Sequence, residues 1–164
     1  MKKFLRVVLI SFFALVSFAG LNTITAKADI QMPTYLHTLY QSNLYSRNDN
    51  GEYTLISNRG LSDNTDWLTD SFDPTNNYWR VGANEWVENY KVAQVFENYH
   101  RVITNDSNTK IYSMDSDYRF IETGSTLNAG SWMNDKEVAI PSAVGAYAPA
   151  VYYRVATNEW IRLN

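Results

Sequence analysis

A ten-residue segment occurs twice in this chain. Residues 78–87 read YWRVGANEWV and residues 152–161 read YYRVATNEWI, with six identical positions at an offset of 74. The same landmarks precede both copies in the same order: Tyr45-Ser46 and Trp67 in the first, Tyr112-Ser113 and Trp132 in the second. Such a repeat is typical of one supersecondary unit used twice. We therefore predict two modules, at residues 43–98 and 108–164, joined by a linker at residues 99–107.

Each predicted module consists of short strands separated by turns. The turn-forming segments are Asn48-Asp49-Asn50-Gly51 and Asp115-Ser116-Asp117, and they separate predicted strands at 43–47 and 53–57, and at 109–114 and 118–123. The repeated segment contains an asparagine that suits a tight turn with positive φ. Short strands with regularly spaced turns predict an all-β fold. We expect two tandem small β modules of the SH3-like barrel or sandwich type.

The first 28 residues have the three-part pattern of a secretory signal. Three basic residues precede an apolar run at 7–21, and Ala26-Lys27-Ala28 provides the small-x-small cleavage pattern. We predict cleavage after Ala28, which would leave a secreted product without a membrane span. Residues 29–42 then read as a linker.

The predicted mature chain, residues 29–164, is acidic. It keeps 10 of the 14 Lys and Arg residues and all 17 Asp and Glu residues, for a net charge of about −7. An acidic chain is a poor candidate for binding nucleic acid or anionic lipid, and it attracts a basic partner. The chain contains no cysteine, which excludes disulfides, thiolate metal sites and a cysteine nucleophile. Its small modules must therefore be stabilised by burial of aromatic residues.

The repeated segment resembles the closing motif of the SLAP domain, the wall-attachment module of surface-layer and surface-layer-associated proteins of lactobacilli. The resemblance rests on Tyr-Trp/Tyr-Arg-Val at 78–81 and 152–155, Asn-Glu-Trp at 84–86 and 158–160, and the Tyr-Ser opening at 45–46 and 112–113. It covers nearly the whole predicted mature chain as two tandem copies. It implies non-covalent attachment at the cell wall or surface layer, with a polymer of the teichoic acid type as ligand.

One property of the chain departs from that family. The family's attachment regions are rich in lysine and basic, whereas this predicted mature chain has three lysines, Lys91, Lys110 and Lys136. Its acidity favours a second kind of partner, a basic surface-layer protein of the lattice. The sequence leaves both partners open.

The repeated arginines, Arg80 and Arg154, are the first candidates for ligand contact. An arginine offers a planar fork of donors that suits phosphate or carboxylate, and the nearby Tyr78 and Tyr152 offer aromatic faces. Two equivalent weak sites would gain avidity on a polymer. Alternatively, each arginine covers the rim of its module and pairs with an acid such as Glu85 or Glu159.

The role of Trp86 and Trp160 depends on the register of the hairpin. With a two-residue turn, Trp86 faces Val81 and belongs to the core. With a three-residue turn, it faces Arg80 in an exposed Arg–Trp platform, since a one-residue slip moves every side chain to the other face. Both tryptophans therefore remain candidate ligand-binding residues.

No constellation of residues indicates catalysis. The repeated glutamates, Glu85 and Glu159, suggest an acid pair for glycoside cleavage only if the fold brings them together. Neither His37 nor His100 has a plausible serine partner in its sequence context. We predict a binding protein, not an enzyme, with no metal or cofactor. The alternatives are an exported hydrolase of cell-wall glycan and a purely structural accessory of the surface layer.

Overall fold

The computed structural model describes residues 31–141 and 149–163. The predicted signal peptide, residues 1–28, lies outside the described residues. The described part is all-β, as predicted, with one short 3-10 helix, η1, at Asn89–Lys91. No helix in the described ranges has the length and apolar character needed to cross a membrane.

The strands follow one another closely along the chain. Their bounds are β1 (Tyr35–Thr38), β2 (Ser42–Arg47), β3 (Tyr53–Leu61), β4 (Asp66–Trp67), β5 (Ser71–Asp73), β6 (Tyr78–Gly82), β7 (Glu85–Glu88), β8 (Val92–Asn105), β9 (Thr109–Met114), β10 (Phe120–Leu127), β11 (Gly130–Ile140), β12 (Ala150–Ala156) and β13 (Glu159–Arg162). The predicted strand at 109–114 coincides with β9, and the one at 43–47 falls within β2. The turn chemistry therefore located these hairpins well.

The sequence repeat is also a repeat of strand order. The first copy forms a five-stranded sheet in the order β3-β2-β7-β6-β5. The second copy has the equivalent order β10-β9-β13-β12-β11, which continues into β8, β1 and β4 as an eight-stranded sheet. All these neighbours are antiparallel.

Strand β8 corrects the prediction of a linker at residues 99–107. It is 14 residues long and runs from η1 to Asn105 without a break. Its first part pairs with β1, where Val95 lies opposite Tyr35, and it pairs with β11 from Gln94 to Asn105. The residues of this segment show no strand-like alternation in the sequence, because its two aliphatic residues, Val102 and Ile103, are adjacent. The backbone of β11, which runs alongside, supplies the hydrogen-bond partners that order them.

Strand β1 likewise corrects the prediction of a linker at residues 29–42. It lies between β8 and β4 in the eight-stranded sheet, with Leu36 and Thr38 fully buried. The Thr38 hydroxyl donates a hydrogen bond to the Ser62 carbonyl at 2.7 Å. A four-residue strand is too short to show a periodic pattern, so only its distant partners identify it.

Each repeat has its own apolar core, and the two cores use equivalent positions. The first contains the buried residues Leu36, Leu44, Leu61, Trp79, Val87 and Val92. The second contains Ile103, Ile111, Leu127 and Ile161. Trp67 and Trp132 are partly buried and pack against these two cores, one in each. A third cluster contains Ala93, Val95, Val138 and Trp160 and joins β8 to β11 and β13 of the second repeat.

Candidate functional site

The closing hairpin of the first repeat places Arg80 directly opposite Trp86. Its turn has two residues, because Gly82 pairs with Glu85, and a bulge between Arg80 and Gly82 shifts the register. Such a bulge puts two residues of one strand against one of the other. The two-residue turn and the Arg–Trp pairing, which the sequence presented as alternatives, therefore occur together.

The second hairpin has the same register and the same bulge. Arg154 lies opposite Trp160, and Ala156 pairs with Glu159. Although each tryptophan faces an arginine, Trp86 is only 6% exposed and Trp160 only 1%. The guanidinium carbon lies 5.9 Å from the centre of the indole ring in both repeats. The indoles are therefore buried supports for the arginines, and the exposed platform is excluded.

Trp86 is buried by an aromatic cluster on its own face of the sheet. Tyr53 and Tyr78 stack with 4.0 Å between ring centroids, and Trp86 meets Tyr53 edge-on at 5.7 Å. Tyr45 meets Tyr78 edge-on at 5.2 Å. Stacked and edge-on arrangements are the favourable geometries for aromatic rings. Tyr78, a predicted contact residue, thus holds this cluster together.

The second repeat has an equivalent aromatic cluster. Phe120 and Tyr152 stack at 3.7 Å, and Trp160 meets Phe120 edge-on at 5.4 Å. Tyr112 meets Tyr152 edge-on at 5.3 Å. The same four positions therefore pack in the same way in both copies, and Tyr152 has the same structural role as Tyr78.

Each arginine is held by an aspartate, in a geometry that is the same in both repeats. Arg80 donates from Nε and Nη2 to the two carboxylate oxygens of Asp70, at 2.7 and 2.8 Å. Arg154 does the same to Asp135, with both distances at 2.8 Å. Bidentate pairs of this kind fix both position and orientation.

The prediction that Glu85 and Glu159 pair with these arginines is therefore wrong. Glu85 instead forms an ion pair with Arg59, and Glu159 is exposed. Asp70 is 65 positions before Asp135, which is also the offset between Trp67 and Trp132. That shared offset was the signal in the sequence that could have identified the true partners.

Both Arg–Asp pairs stay ionised across the neutral pH range. The hydrogen bonds that Arg80 donates to Asp70 lower the pKa of Asp70 and raise the pKa of Arg80. Arg154 and Asp135 shift each other's pKa values in the same directions, again through their hydrogen bonds first. Each pair therefore presents a guanidinium and a carboxylate together, with no net charge.

A surface groove lies along each of these pairs. The groove of the first repeat has a volume of about 380 Å³ and is lined by Leu68, Asp70 and Arg80. The groove of the second repeat has a volume of about 470 Å³ and is lined by Met133, Asp135, Arg154 and His100, among others. We call these two the paired grooves.

An exposed apolar side chain marks each of the paired grooves. Leu68 is 79% exposed and Met133 is 60% exposed. They occupy equivalent positions, because each directly follows the tryptophan that the two repeats share. Large apolar side chains in the open are ordinary when they are scattered singly. Here, however, both repeats expose an apolar side chain at the same position beside the same ion pair, so the exposure is not accidental. The sequence analysis did not identify either residue.

In the described part of the chain, no group of three His, Cys, Asp or Glu side chains is placed to hold a metal ion. No model of a known protein family matches the chain. No curated protein matches it either.

Proposed function

We propose that this chain is an exported bacterial surface protein that attaches non-covalently to the cell wall or its surface lattice, and that the paired grooves are its two attachment sites. The single observation behind this proposal is the duplication of a complete groove, with an Arg–Asp pair and an exposed apolar side chain in each copy. The resemblance of the repeated motif to a wall-attachment module supports the same function.

Two equivalent sites on one chain suit a repeating ligand. When the first site is occupied, the second meets the next unit of the same polymer or lattice at a high effective concentration. Weak binding in each groove then gives firm attachment, provided that both grooves are engaged at once. A ligand with a single binding unit would gain no avidity from a duplicated groove.

The chemistry of the grooves indicates a ligand with both polar and apolar parts. Each Arg–Asp pair offers donors and acceptors with no net charge, and Leu68 or Met133 offers an apolar contact. The predicted mature chain is acidic, so the grooves do not act by general attraction of a polyanion. Attachment through them should accordingly depend less on salt than that of a basic wall-binding module.

Attachment can be tested by co-sedimentation of the predicted mature chain with purified cell walls across a salt series. The walls would be used intact, stripped of teichoic acid, or coated with the surface-layer protein. Loss of binding on removal of teichoic acid identifies the polymer as the ligand, whereas binding only to coated walls identifies the lattice protein. Absence of binding to every preparation overturns the proposal.

The role of the paired grooves can be tested with Leu68→Ser and Met133→Ser. Each single variant should weaken retention several-fold, and the double variant should weaken it by more than about ten-fold because avidity is lost. The matched control is the double variant Leu55→Ser and Ile121→Ser, which changes two side chains that are 51% and 56% exposed outside the grooves. Equal effects of the two double variants would show that the grooves are not the attachment sites.

A further inference from the structure

A separate cavity of about 500 Å³ lies where β1 meets the turn between β9 and β10. Its lining includes His37, Leu39 and Tyr40 from β1 and the residues just after it, and Tyr118, Arg119 and Phe120 from the β9–β10 turn and the start of β10. Its volume is in the range of roughly 300–1,000 Å³ that is typical of small-molecule sites. None of the paired-groove residues discussed above contributes to it.

His37 lines this cavity and has an unused hydrogen-bonding atom. The residue is only 4% exposed, and its Nδ1 lies 2.7 Å from Oδ1 of Asp66. A carboxylate can only accept, so Nδ1 donates to Asp66, and in the neutral form of the ring Nε2 is then an acceptor. Nε2 is buried and has no hydrogen-bond partner among the residues that the structure describes. An orphaned polar atom in a buried position requires an explanation, such as a bound ligand.

Tyr118 lines the cavity and has an unusual backbone conformation. Its φ is 59°, a left-handed conformation that is rare for a bulky residue. The equivalent turn of the first repeat has Gly51 there, with φ 83°. The two turns otherwise match, since Asn48 in the first and Asp115 in the second each accept two backbone N–H bonds through Oδ1.

The strained tyrosine is fixed in place by two contacts. Its ring stacks on His37 with 3.8 Å between centroids and 20° between planes. Its hydroxyl lies 2.9 Å from the hydroxyl of Tyr35. The second repeat thus has a tyrosine with strained backbone where the first has a glycine. Its fixed ring packs beside His37, whose Nε2 is unused.

The rim of the cavity combines aromatic faces with polar groups. Tyr40 is 62% exposed, and the exposed Asp63, Asn64 and Asp117 line the same cavity. An aromatic face suits the apolar C–H face of a sugar ring, while carboxylate and amide groups exchange hydrogen bonds with its hydroxyl and acetamido groups. A sugar hydroxyl is also a donor of the kind that His37 Nε2 lacks.

We propose that this cavity is a binding site for one unit of an uncharged saccharide, with the ring packed against the tyrosines and a hydroxyl donating to His37 Nε2. This site goes beyond the paired grooves and does not depend on them. The saccharide contacts residues of β1 and of the β9–β10 turn, and its binding is non-covalent.

The test is calorimetric titration of the predicted mature chain, which includes the whole compact unit Met32–Asn164, with tri-N-acetylchitotriose. The wild-type chain should bind with a dissociation constant below about 10 mM. The Nε2 nitrogen of His37 should change its 15N chemical shift on binding, as expected for an acceptor that gains a hydrogen bond. Absence of both heat and shift would overturn the proposal and leave Nε2 to a bound water alone.

Two variants test the parts of the site separately. His37→Phe keeps a ring that stacks on Tyr118 but removes the acceptor, and Asp66 is left 58% exposed to water. Tyr118→Gly removes the aromatic wall at a backbone position that already holds glycine in the first repeat. Each should weaken trisaccharide binding by about ten-fold or more, while the chain keeps its backbone NMR spectrum.

The matched control for both variants is Leu55→Ser, a change of an exposed side chain that lines neither the cavity nor the paired grooves and should leave trisaccharide binding unchanged. Unaltered binding by His37→Phe would overturn the role of Nε2. Aromatic side chains also bind quaternary ammonium cations such as choline. Tighter binding of choline than of the trisaccharide would therefore overturn the assignment of the ligand class. Because the readout is a soluble trisaccharide and not wall retention, failure here is distinct from failure of the paired grooves.

Discussion

Asn84 and Asn158 occupy the same turn position in the two repeats, with φ of 58° and 53°. The side-chain oxygen of Asn84 accepts hydrogen bonds from the backbone N–H of Arg47 and from Nε1 of Trp86. Asn158 does the same for Met114 and for Trp160. One asparagine thus forms the turn, ties it to the neighbouring strand and satisfies a buried indole.

We expect Asn84→Ala to destabilise the fold by about 2 kcal/mol, because it combines backbone strain at positive φ with the loss of one acceptor for two donors. Asn84→Gly relieves the strain and should cost about half as much. Urea denaturation of both variants measures the difference. A glycine variant as stable as the wild type would show that the side-chain hydrogen bonds contribute nothing.

Asp73 is a second residue with a specific structural role. The side-chain amide of Asn76 is the main cause that lowers the pKa of Asp73 to about 2 from its usual 3.8. Backbone N–H groups and the Tyr53 hydroxyl add to the effect. A carboxylate with a lowered pKa contributes stability above its unfolded pKa and loses it as the pH falls through its folded pKa.

The stabilisation from Asp73 should therefore be complete above about pH 4 and fade towards pH 2. The shift corresponds to roughly 2 kcal/mol at neutral pH. The measurement is the free energy of unfolding of the wild type and of Asp73→Asn between pH 2 and pH 7. The two curves should converge at the acid end, and a constant gap between them would contradict this account.

At the level of secondary-structure elements, β1 is the strand that joins distant parts of the chain. Leu36 is fully buried in the core of the first repeat, and β1 pairs with both β8 and β4. A segment that reads as a linker in the sequence thus lies inside a sheet. Its removal would expose the edge of β8 and open one side of the first core.

Leu36→Ala should destabilise the chain by about 3 kcal/mol, as is typical when a buried leucine is cut back to alanine. Leu68→Ala is the matched control, since Leu68 is 79% exposed and should cost less than about 0.5 kcal/mol. Thermal or urea denaturation of the two variants compares them directly. A small effect of Leu36→Ala would mean that β1 is not part of the folded core.

At the level of the whole molecule, the two repeats share strands and are not structurally independent. β8 begins directly after η1 of the first repeat and continues as a neighbour of β11 in the second. The described chain from Met32 onwards accordingly forms one compact unit. Neither repeat can lose β8 without losing part of its own sheet or core.

We therefore expect a single cooperative unfolding transition for both repeats. Leu44→Ala in the first core and Ile111→Ala in the second should each shift that one transition to lower urea concentration by a similar amount. Far-ultraviolet circular dichroism and tryptophan fluorescence should give coincident curves for each variant. Two separate transitions, each sensitive to one variant only, would show that the repeats unfold independently.

The sequence by itself determined the all-β class, the two copies, and the hairpins around Asn48 and Asp115. These features depend on local turn chemistry and on residues close together in the chain, which a sequence displays directly. The candidate arginines were also located, since the repeated segment singles out Arg80 and Arg154.

Only the tertiary structure decided the partners of these elements and residues. Asp70 and Asp135 reach the arginines across strand pairs, β1 and β8 become strands through neighbours far along the chain, and a bulge turns Trp86 towards Arg80 while aromatic rings bury it. These outcomes depend on which sheet faces meet and in which register, because a shift of one residue moves every side chain to the other face.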